Sequence, residues 1–354
     1  MMGSGQQAAG VELVQPDPDD VVLALDVGGT KLAAGVVAGD GRVLSTRVAP
    51  TRAEDGPSVV IARQLELGRE AVEESGVPWD AVRAVGMACG GPLDPIAGIV
   101  SPLHLPGWTE VPLVSTVSVA LDRPAAVDND ATAGALAEYW FGAGRSRNVR
   151  HLVYLTISTG VGGGLILDGR VYRGAGGNAG ELGHLTVDYQ GRQCACGRRG
   201  CLEAYASGTN IAERAREALG VEGGTHSVLA SLPAITARDV AEAARDGDAL
   251  AIGIWDETTA ILGSAAANIL DIFNPDLVVL GGGVTRAGDQ LLGPVRDSAL
   301  AMAMPPARAA ADVVLAELGD RLGVVSAAAV AFERLPAERP SRTVSTPAAE
   351  AVRG

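Results

Sequence analysis

Val21–Val37 reads VVLALDVGGTKLAAGVV: an apolar strand, a Gly-Gly turn and a second apolar strand. The same unit returns at Val153–Leu167 as VYLTISTGVGGGLIL. In both copies the glycines follow a buried-type strand and lead into another strand. A dinucleotide-binding turn opens a helix instead, so that reading is disfavoured despite 47 glycines in the chain. Two such hairpins in two halves of one chain predict a duplication whose glycine turns face one phosphate chain.

Around these hairpins strands and helices alternate. RVLSTRVA begins a strand at Arg42, helical periodicity runs from Ser58 to Ser75, and AVRAVGMAC forms the next strand. The loop GGPLDPIAGIVSPLHLPGW follows, then a short strand at Ala125–Val127, Asp128-Asn129-Asp130, and the helix ATAGALAEYWF. Later the chain alternates alanine-rich helices with one buried strand, DLVVLGGG, at Asp276–Gly283. This order implies an α/β architecture with layered sheets.

With 354 residues the chain is long enough for two domains, and 47% hydrophobic residues supply their cores. Aromatics are only 3%, so those cores are aliphatic and alanine-rich. The net charge of −14 leaves no basic stripe to neutralise phosphates, which argues against nucleic acid as a partner. Lys31 is the only lysine and lacks the surrounding frame of a Walker A loop. The first twenty residues have neither the basic nor the apolar region of a secretory signal, and no run of about 18 apolar residues marks a membrane span. A cytoplasmic protein with polar, aperiodic tails at both ends is expected.

Glu181–Glu203, ELGHLTVDYQGRQCACGRRGCLE, holds His184 and three of the four cysteines, Cys194, Cys196 and Cys201. Together they supply the donors of a Cys₃His tetrahedral zinc site, with no coordination position left open for chemistry. A Cys194–Cys201 disulfide would leave Cys196 unpaired and His184 unexplained. Cys89, in an apolar run, reads as a buried small side chain.

Asp26, Gly28, Gly29 and Thr30 suit a phosphate turn, with backbone N–H groups and a hydroxyl as donors, and Asp26 could hold the water shell of Mg²⁺. An ordinary hairpin turn is the alternative, for this segment and for Thr159-Gly160. Gly281, Gly282 and Gly283 follow a buried strand and could admit a flat base, although such runs often serve close packing. Asp130 sits at the start of a helix, where the dipole favours its ionised form. Locally it reads first as an N-cap, with Asn129 and Asp128 as rival caps. Glu181 and Glu203 could present acceptors to vicinal hydroxyls, and His184 could use its second ring nitrogen the same way.

The ordered set DVGGTK, DND before a small-residue helix, TGVGGG, ELGH, C-x-C-G-x-x-G-C-x-E and LGGGV resembles the ROK family (repressor, ORF, kinase), from about Val21 to Phe332. The resemblance is to its bacterial glucokinases and related hexose and N-acylhexosamine kinases. It implies an actin-like, ribonuclease H-like duplicated fold with the active site in the cleft between two domains. The implied division is a tail at 1–20, a smaller domain of 21–127 plus about 320–335, a larger domain of 128–319, and a tail at 336–354. The implied reaction uses ATP and Mg²⁺ to phosphorylate a sugar, with Asp130 as general base and a structural Zn²⁺ on His184, Cys194, Cys196 and Cys201. Asn129, Glu181, His184 and Glu203, with Gly91 and His104, would form the sugar site. Asp26, Gly28, Gly29, Thr30, Lys31, Thr159 and Gly160 would meet phosphates and magnesium, and Gly281, Gly282 and Gly283 would flank adenosine. The family further suggests a homodimer or homotetramer. Its repressors carry a DNA-binding domain before the first hairpin, and about 20 residues are too few for one. Thr132 and His104 stand where many relatives have other residues, so an N-acetylated hexose or fructose competes with glucose. A sugar sensor without turnover is the reading from another class.

Overall fold

In the computed structural model, residues 12–221 and 226–335 are described. The first half runs β1 (Val21–Val27), β2 (Lys31–Ala38), β3 (Val43–Pro50), α1 (Pro57–Ser75) and β4 (Val82–Cys89). A small ribbon of β5 (Leu93–Asp94) and β6 (Ile99–Val100) follows, then α2 (Leu113–Leu121) and β7 (Ala125–Asn129). After α3 (Asp130–Phe141) come β8 (Leu152–Ile157), β9 (Val161–Leu167) and β10 (Arg170–Val171). The helices α4 (Glu203–Ala206), α5 (Gly208–Leu219), α6 (Ala237–Arg245) and α7 (Ala249–Phe273) then lead to β11 (Leu277–Gly281). The chain closes with α8 (Asp289–Met302), α9 (Pro305–Ala310), β12 (Asp312–Leu315) and α10 (Leu322–Arg334).

The duplication is explicit in the sheets. One is ordered β3-β2-β1-β4-β7 and the other β10-β9-β8-β11-β12. In each, three strands form an antiparallel meander and two more add in parallel beside the first. This is the ribonuclease H-like pattern used twice, the actin-like two-domain fold.

The helix after the last strand of each half packs on the opposite half. α3 leaves β7 and lies on β8 and β9, while α10 leaves β12 and lies on β1 and β4. Close approach is possible because glycine occupies the contact. A Cβ at Gly86 in β4 would sit 1.9 Å from Ala327 O of α10, and one at Gly164 in β9 would sit 2.4 Å from Ala131 O of α3. Ala133, Ala135, Ala137 and Ala327–Ala329 keep both helices thin, and the two pack against each other within one core shared by the sheets. Outer cores flank it, one under α1 and α2, the other under α5–α8.

Glu138 of α3 joins the two places where the chain passes between the halves. It is fully buried; Oε2 accepts from Ala143 N–H (2.8 Å) and Glu317 N–H (3.1 Å), and Oε1 from Leu318 N–H (3.0 Å). The expected N-terminal tail needs correcting at its inner end. Leu13 N–H donates to Gly169 O at 2.7 Å, and Asp20 pairs with Arg83 at 2.6 Å, so packing fixes the chain before β1 begins. Residues 1–11 and the expected tail at 336–354 lie outside the described residues. Among the described residues no helix is long and apolar enough to cross a membrane.

Candidate active site

The edge of β7 delivers Asp128 and Asn129 to the start of α3, and the rivalry for the helix cap is resolved there. Asn129 is extended (φ −61°, ψ 142°) and its Oδ1 accepts from Ala131 N–H at 3.0 Å, which makes it the N-cap. Asp130 Oδ1 accepts from the same N–H at 2.8 Å, and its side chain makes no other hydrogen bond to another of the described residues. Asp130 is exposed to the cleft, while protein crowds its carboxyl on the other sides. Burial pushes its carboxyl above the usual range, while the Ala131 N–H and His104 pull the other way.

Asp26, at the end of β1, is pushed up to about 6, by burial first and then by the charge of Asp130, with Lys31 opposing. Two carboxylates that repel across a cleft are a donor set suited to a divalent cation. Beside them Gly28 N–H closes its turn on Lys31 O at 3.2 Å. The buried Thr51 braces that turn, its hydroxyl donating to Gly28 O at 2.6 Å and its N–H to Thr30 O at 3.0 Å. Thr30 and Lys31 are exposed. The His104 ring lies over both glycine turns of this half, since a Cβ at Gly29 or Gly90 would meet it at 2.7 Å or 2.1 Å. Gly91 abuts Asn129 Nδ2.

The second hairpin reaches the same corner. A Cβ at Gly162 would sit 3.2 Å from the Ala131 side chain, next to Asp130. Ser158 N–H closes its turn on Gly160 O at 2.9 Å, leaving Thr159 exposed. Glu203 Oε2 accepts from Val161 N–H at 2.9 Å, so one of its oxygens is committed to this hairpin. Gly183 rests on Val161 O, which lays Glu181-Leu182-Gly183-His184 along the same strand. Glu181 is exposed.

Behind these residues His184, Cys194, Cys196 and Cys201 converge, their donor atoms all within 4.8 Å of one another. His184 Nδ1 lies 3.8 Å from Cys194 Sγ, and the sulfurs of Cys196 and Cys201 are 3.6 Å apart. A tetrahedral ion with bonds of about 2.0–2.3 Å needs edges of about 3.3–3.8 Å, so the set fits once its widest pair closes by about 1 Å. Nδ1 faces the cluster, which leaves Nε2 for another partner. Cys194 N–H donates to Arg198 O at 2.8 Å and Gly197 N–H to Cys194 O at 3.0 Å, the tight turn that brings the thiols together. Arg198 holds the Cys196 thiol down to about 6, and burial lifts Cys201 to about 12.

Arg173 completes the corner. Its Nε and Nη2 both donate to Asp128 Oδ2, at 2.8 and 2.6 Å, and Nη1 donates to Glu333 Oε1 of α10 at 3.0 Å. Asp128 Oδ1 meanwhile accepts from Asn129 N–H at 2.8 Å. Burial pushes the Asp128 carboxyl up even against this guanidinium.

A cavity of about 690 Å³ opens beside the second hairpin, from Ser158 and Thr159 past Thr209 to α6 and α8. Of the three glycines expected to flank a nucleoside, only Gly283 lines it. Gly281 lies under Tyr154, where a Cβ would meet the hydroxyl at 2.4 Å, and Gly282, at φ 93°, lies against Ile157 O. The close-packing alternative wins at those two positions.

Residues 22–334 match the sequence profile of the ROK family. The chain belongs to the ROK family. It is 36% identical to a glucokinase of Thermotoga maritima over 89% of this chain and 98% of that one. It is also 36% identical to an N-acetylmannosamine kinase of Citrobacter koseri, over 75% and 84%. Among solved structures, a ROK family glucokinase of Streptomyces griseus in complex with glucose and AMPPNP is similar, at a TM-score of 0.74 and 33% identity, covering 87% of this chain and 98% of that one.

Thr51, Arg173 and the helix side chains around the cavity were not legible as ROK site residues from local sequence. Thr51 stands 23 residues from the turn it braces and Arg173 45 residues from Asp128, with no spacing pattern linking them.

Proposed function

We propose that this ROK protein is an ATP-dependent hexose kinase that phosphorylates glucose at the 6-hydroxyl. One observation carries the reading: Asp130 opens to the cleft with a raised pKa at a helix N-terminus, and both glycine hairpins and Asp26 converge beside it. The sugar sits against Asn129, Glu181, the Nε2 of His184, and the oxygen of Glu203 that the hairpin leaves free, with Gly91 and His104 on the near side. The phosphates lie across Gly28, Gly29, Thr30 and Lys31 on one side and Thr159 and Gly160 on the other, with the nucleoside in the cavity past Gly283. Asp26 would hold Mg²⁺, which would supply charge neutralisation for the phosphates.

Oxygen O6 attacks the γ-phosphorus in line. The bond from that phosphorus to the bridging β-phosphate oxygen breaks, ADP leaves, and the hydroxyl proton passes to the free oxygen of Asp130. In a loose transition state the proton leaves late, so position matters more than basicity. A raised pKa also suits Asp130 to receive it.

The Cys₃His cluster we assign to structural Zn²⁺, which holds the Glu181–Glu203 segment in shape. The charge of −14 argues against nucleic acid as a partner, and the expected assembly is a homodimer or homotetramer.

The test is coupled ADP release with glucose, mannose, fructose, N-acetylglucosamine and N-acetylmannosamine. Glucose should give the highest kcat/KM. A higher value with an N-acetylated sugar would move the assignment to an N-acylhexosamine kinase, and fructose leading would make it a fructokinase. Sugar binding without ADP release from any of them would make the chain a sensor.

A further inference from the structure

The turn of the second hairpin, from Ser158 to Val161, is held from outside by one short stretch of chain, Glu203–Thr209. Glu203 Oε2 accepts from Val161 N–H at 2.9 Å, Gly208 N–H donates to Ser158 O at 2.7 Å, and Thr209 Oγ1 donates to Thr159 O at 2.8 Å. Gly160 O is taken by Ser158 N–H at 2.9 Å. Every carbonyl from Ser158 to Gly160 is thus occupied. Thr159 N–H, the Thr159 hydroxyl and Gly160 N–H, by contrast, make no hydrogen bond to another of the described residues. A turn with its acceptors tied back and its donors open suits an anion. A planar trans peptide points its C=O and the following N–H in opposite directions. Gly208 on Ser158 O therefore aims Thr159 N–H, and Thr209 on Thr159 O aims Gly160 N–H. The second of these peptides is the freer to rotate, because the residue after it is glycine, which accepts either sign of φ. It is also the one locked by a side chain, that of Thr209, the exposed second residue of α5. Thr51 acts the same way on the first turn, where its hydroxyl on Gly28 O aims Gly29 N–H.

Building on the kinase reading, we propose that Thr209 is a positioning residue for the phosphoryl donor. Its hydroxyl keeps the Thr159–Gly160 peptide from flipping, so that Gly160 N–H stays aimed with Thr159 N–H at the donor's phosphates. A flipped peptide would present Thr159 O there instead, replacing a hydrogen-bond donor with an acceptor that an anion repels. Thr209 acts only through the backbone of Thr159. Its effect therefore falls on ligands that carry phosphates and spares the nucleoside and the sugar.

Thr209→Val keeps the branched shape and removes the donor, and with the side chain exposed it should fold like wild type. Its KM for ATP should rise by about five- to tenfold, the scale of one hydrogen bond, while the KM for glucose stays unchanged. Thr209→Ser keeps the hydroxyl and should bring the KM for ATP back close to the wild-type value. Calorimetric binding of a non-hydrolysable ATP analogue and of adenosine to the same three proteins, without sugar, reads the effect without turnover. The analogue should weaken in Thr209→Val by the same factor, and adenosine should bind all three alike. Absence of phosphoryl transfer to any sugar would sink the kinase reading alone, since these affinities do not depend on it. Equal weakening of adenosine and the analogue would make Thr209 a nucleoside contact and overturn the positioning role. Unchanged affinity for the analogue in a folded Thr209→Val would overturn it as well.

Discussion

Arg173 and Asp128 lock two halves of the molecule together at the corner that carries Asp130: Nε and Nη2 of the arginine both donate to Oδ2 of the aspartate, at 2.8 and 2.6 Å. Asp128 is 1% exposed and Arg173 17%, so water screens neither. Arg173→Met would leave a buried carboxylate without its counter-charge, at a cost of about 3–5 kcal/mol. Urea unfolding should show that loss, and the double variant with Asp128→Asn should regain a substantial part of it. Because the same carboxylate holds Asn129 N–H, sugar KM should rise in the single variant more than kcat falls. Equal stability of Arg173→Met and wild type would remove the lock.

The shared hydrogen bond at Ala131 separates capping from catalysis. Asn129→Ala removes the cap and should cost about 1 kcal/mol of stability. Asp130→Asn leaves that cap in place and should fold normally, while turnover falls by about 100-fold or more. Retention of more than roughly a tenth of wild-type turnover in Asp130→Asn would refute its role as the base, given the size of general-base effects.

Features that were legible in the chain are those whose partners lie within a few residues. The glycine hairpins announce themselves because strand, turn and strand are contiguous, and their recurrence exposed the duplicated fold. The Cys₃His set sits within 18 residues. The cap was ambiguous because Asp128, Asn129 and Asp130 are all good capping residues, and only the extended backbone of Asn129 decides among them. Gly281 and Gly282 were visible as glycines but their packing was not, since their neighbours Tyr154 and Ile157 come from a strand more than a hundred residues earlier. Arg173, Glu138 and Thr209 read as ordinary surface or helix residues until the fold supplies partners from distant segments.

Asp26 should make stability depend on pH in a defined direction. Its carboxyl is pushed up to about 6 from 3.8, so between those values the folded chain keeps a proton that the unfolded chain has released. Stability without metal or nucleotide should therefore fall as pH rises from about 4 to about 6 through this group, and the penalty is complete above that. Asp26→Asn should be more stable than wild type at pH 7 by roughly 1–3 kcal/mol, with the advantage gone near pH 4. Turnover of the variant should be strongly reduced. Urea unfolding at the two pH values measures the difference, and an equal advantage at both would contradict the assignment.

The Cys₃His loop and the second hairpin are coupled through Glu203 Oε2 and Val161 N–H, 2.9 Å apart. Cys196→Ser should release the metal, read by elemental analysis, and lower the melting temperature. It should also raise the KM for sugar, because Glu181, His184 and Glu203 lose their fixed positions. Metal loss with unchanged sugar kinetics would reduce the cluster to a staple.

Glu138 takes three backbone N–H groups with one carboxylate, and two of them, at Glu317 and Leu318, belong to the second passage of the chain between the halves. Arg147 adds to this fastening through Glu317 at 3.0 Å. Glutamine in place of Glu138 keeps the shape but must point an NH₂ group at one set of these donors. Each N–H left unpaired in a buried site costs about 1–3 kcal/mol, so Glu138→Gln should lose about 2–4 kcal/mol. A loss of packing elsewhere could mimic that figure, so the local readout is hydrogen exchange at Glu317 and Leu318. Those amides should exchange at least about tenfold faster than the global destabilisation accounts for, while amides of β11 follow the global change alone. Protection at Glu317 and Leu318 that tracks β11 would show that the carboxylate contributes only to general packing.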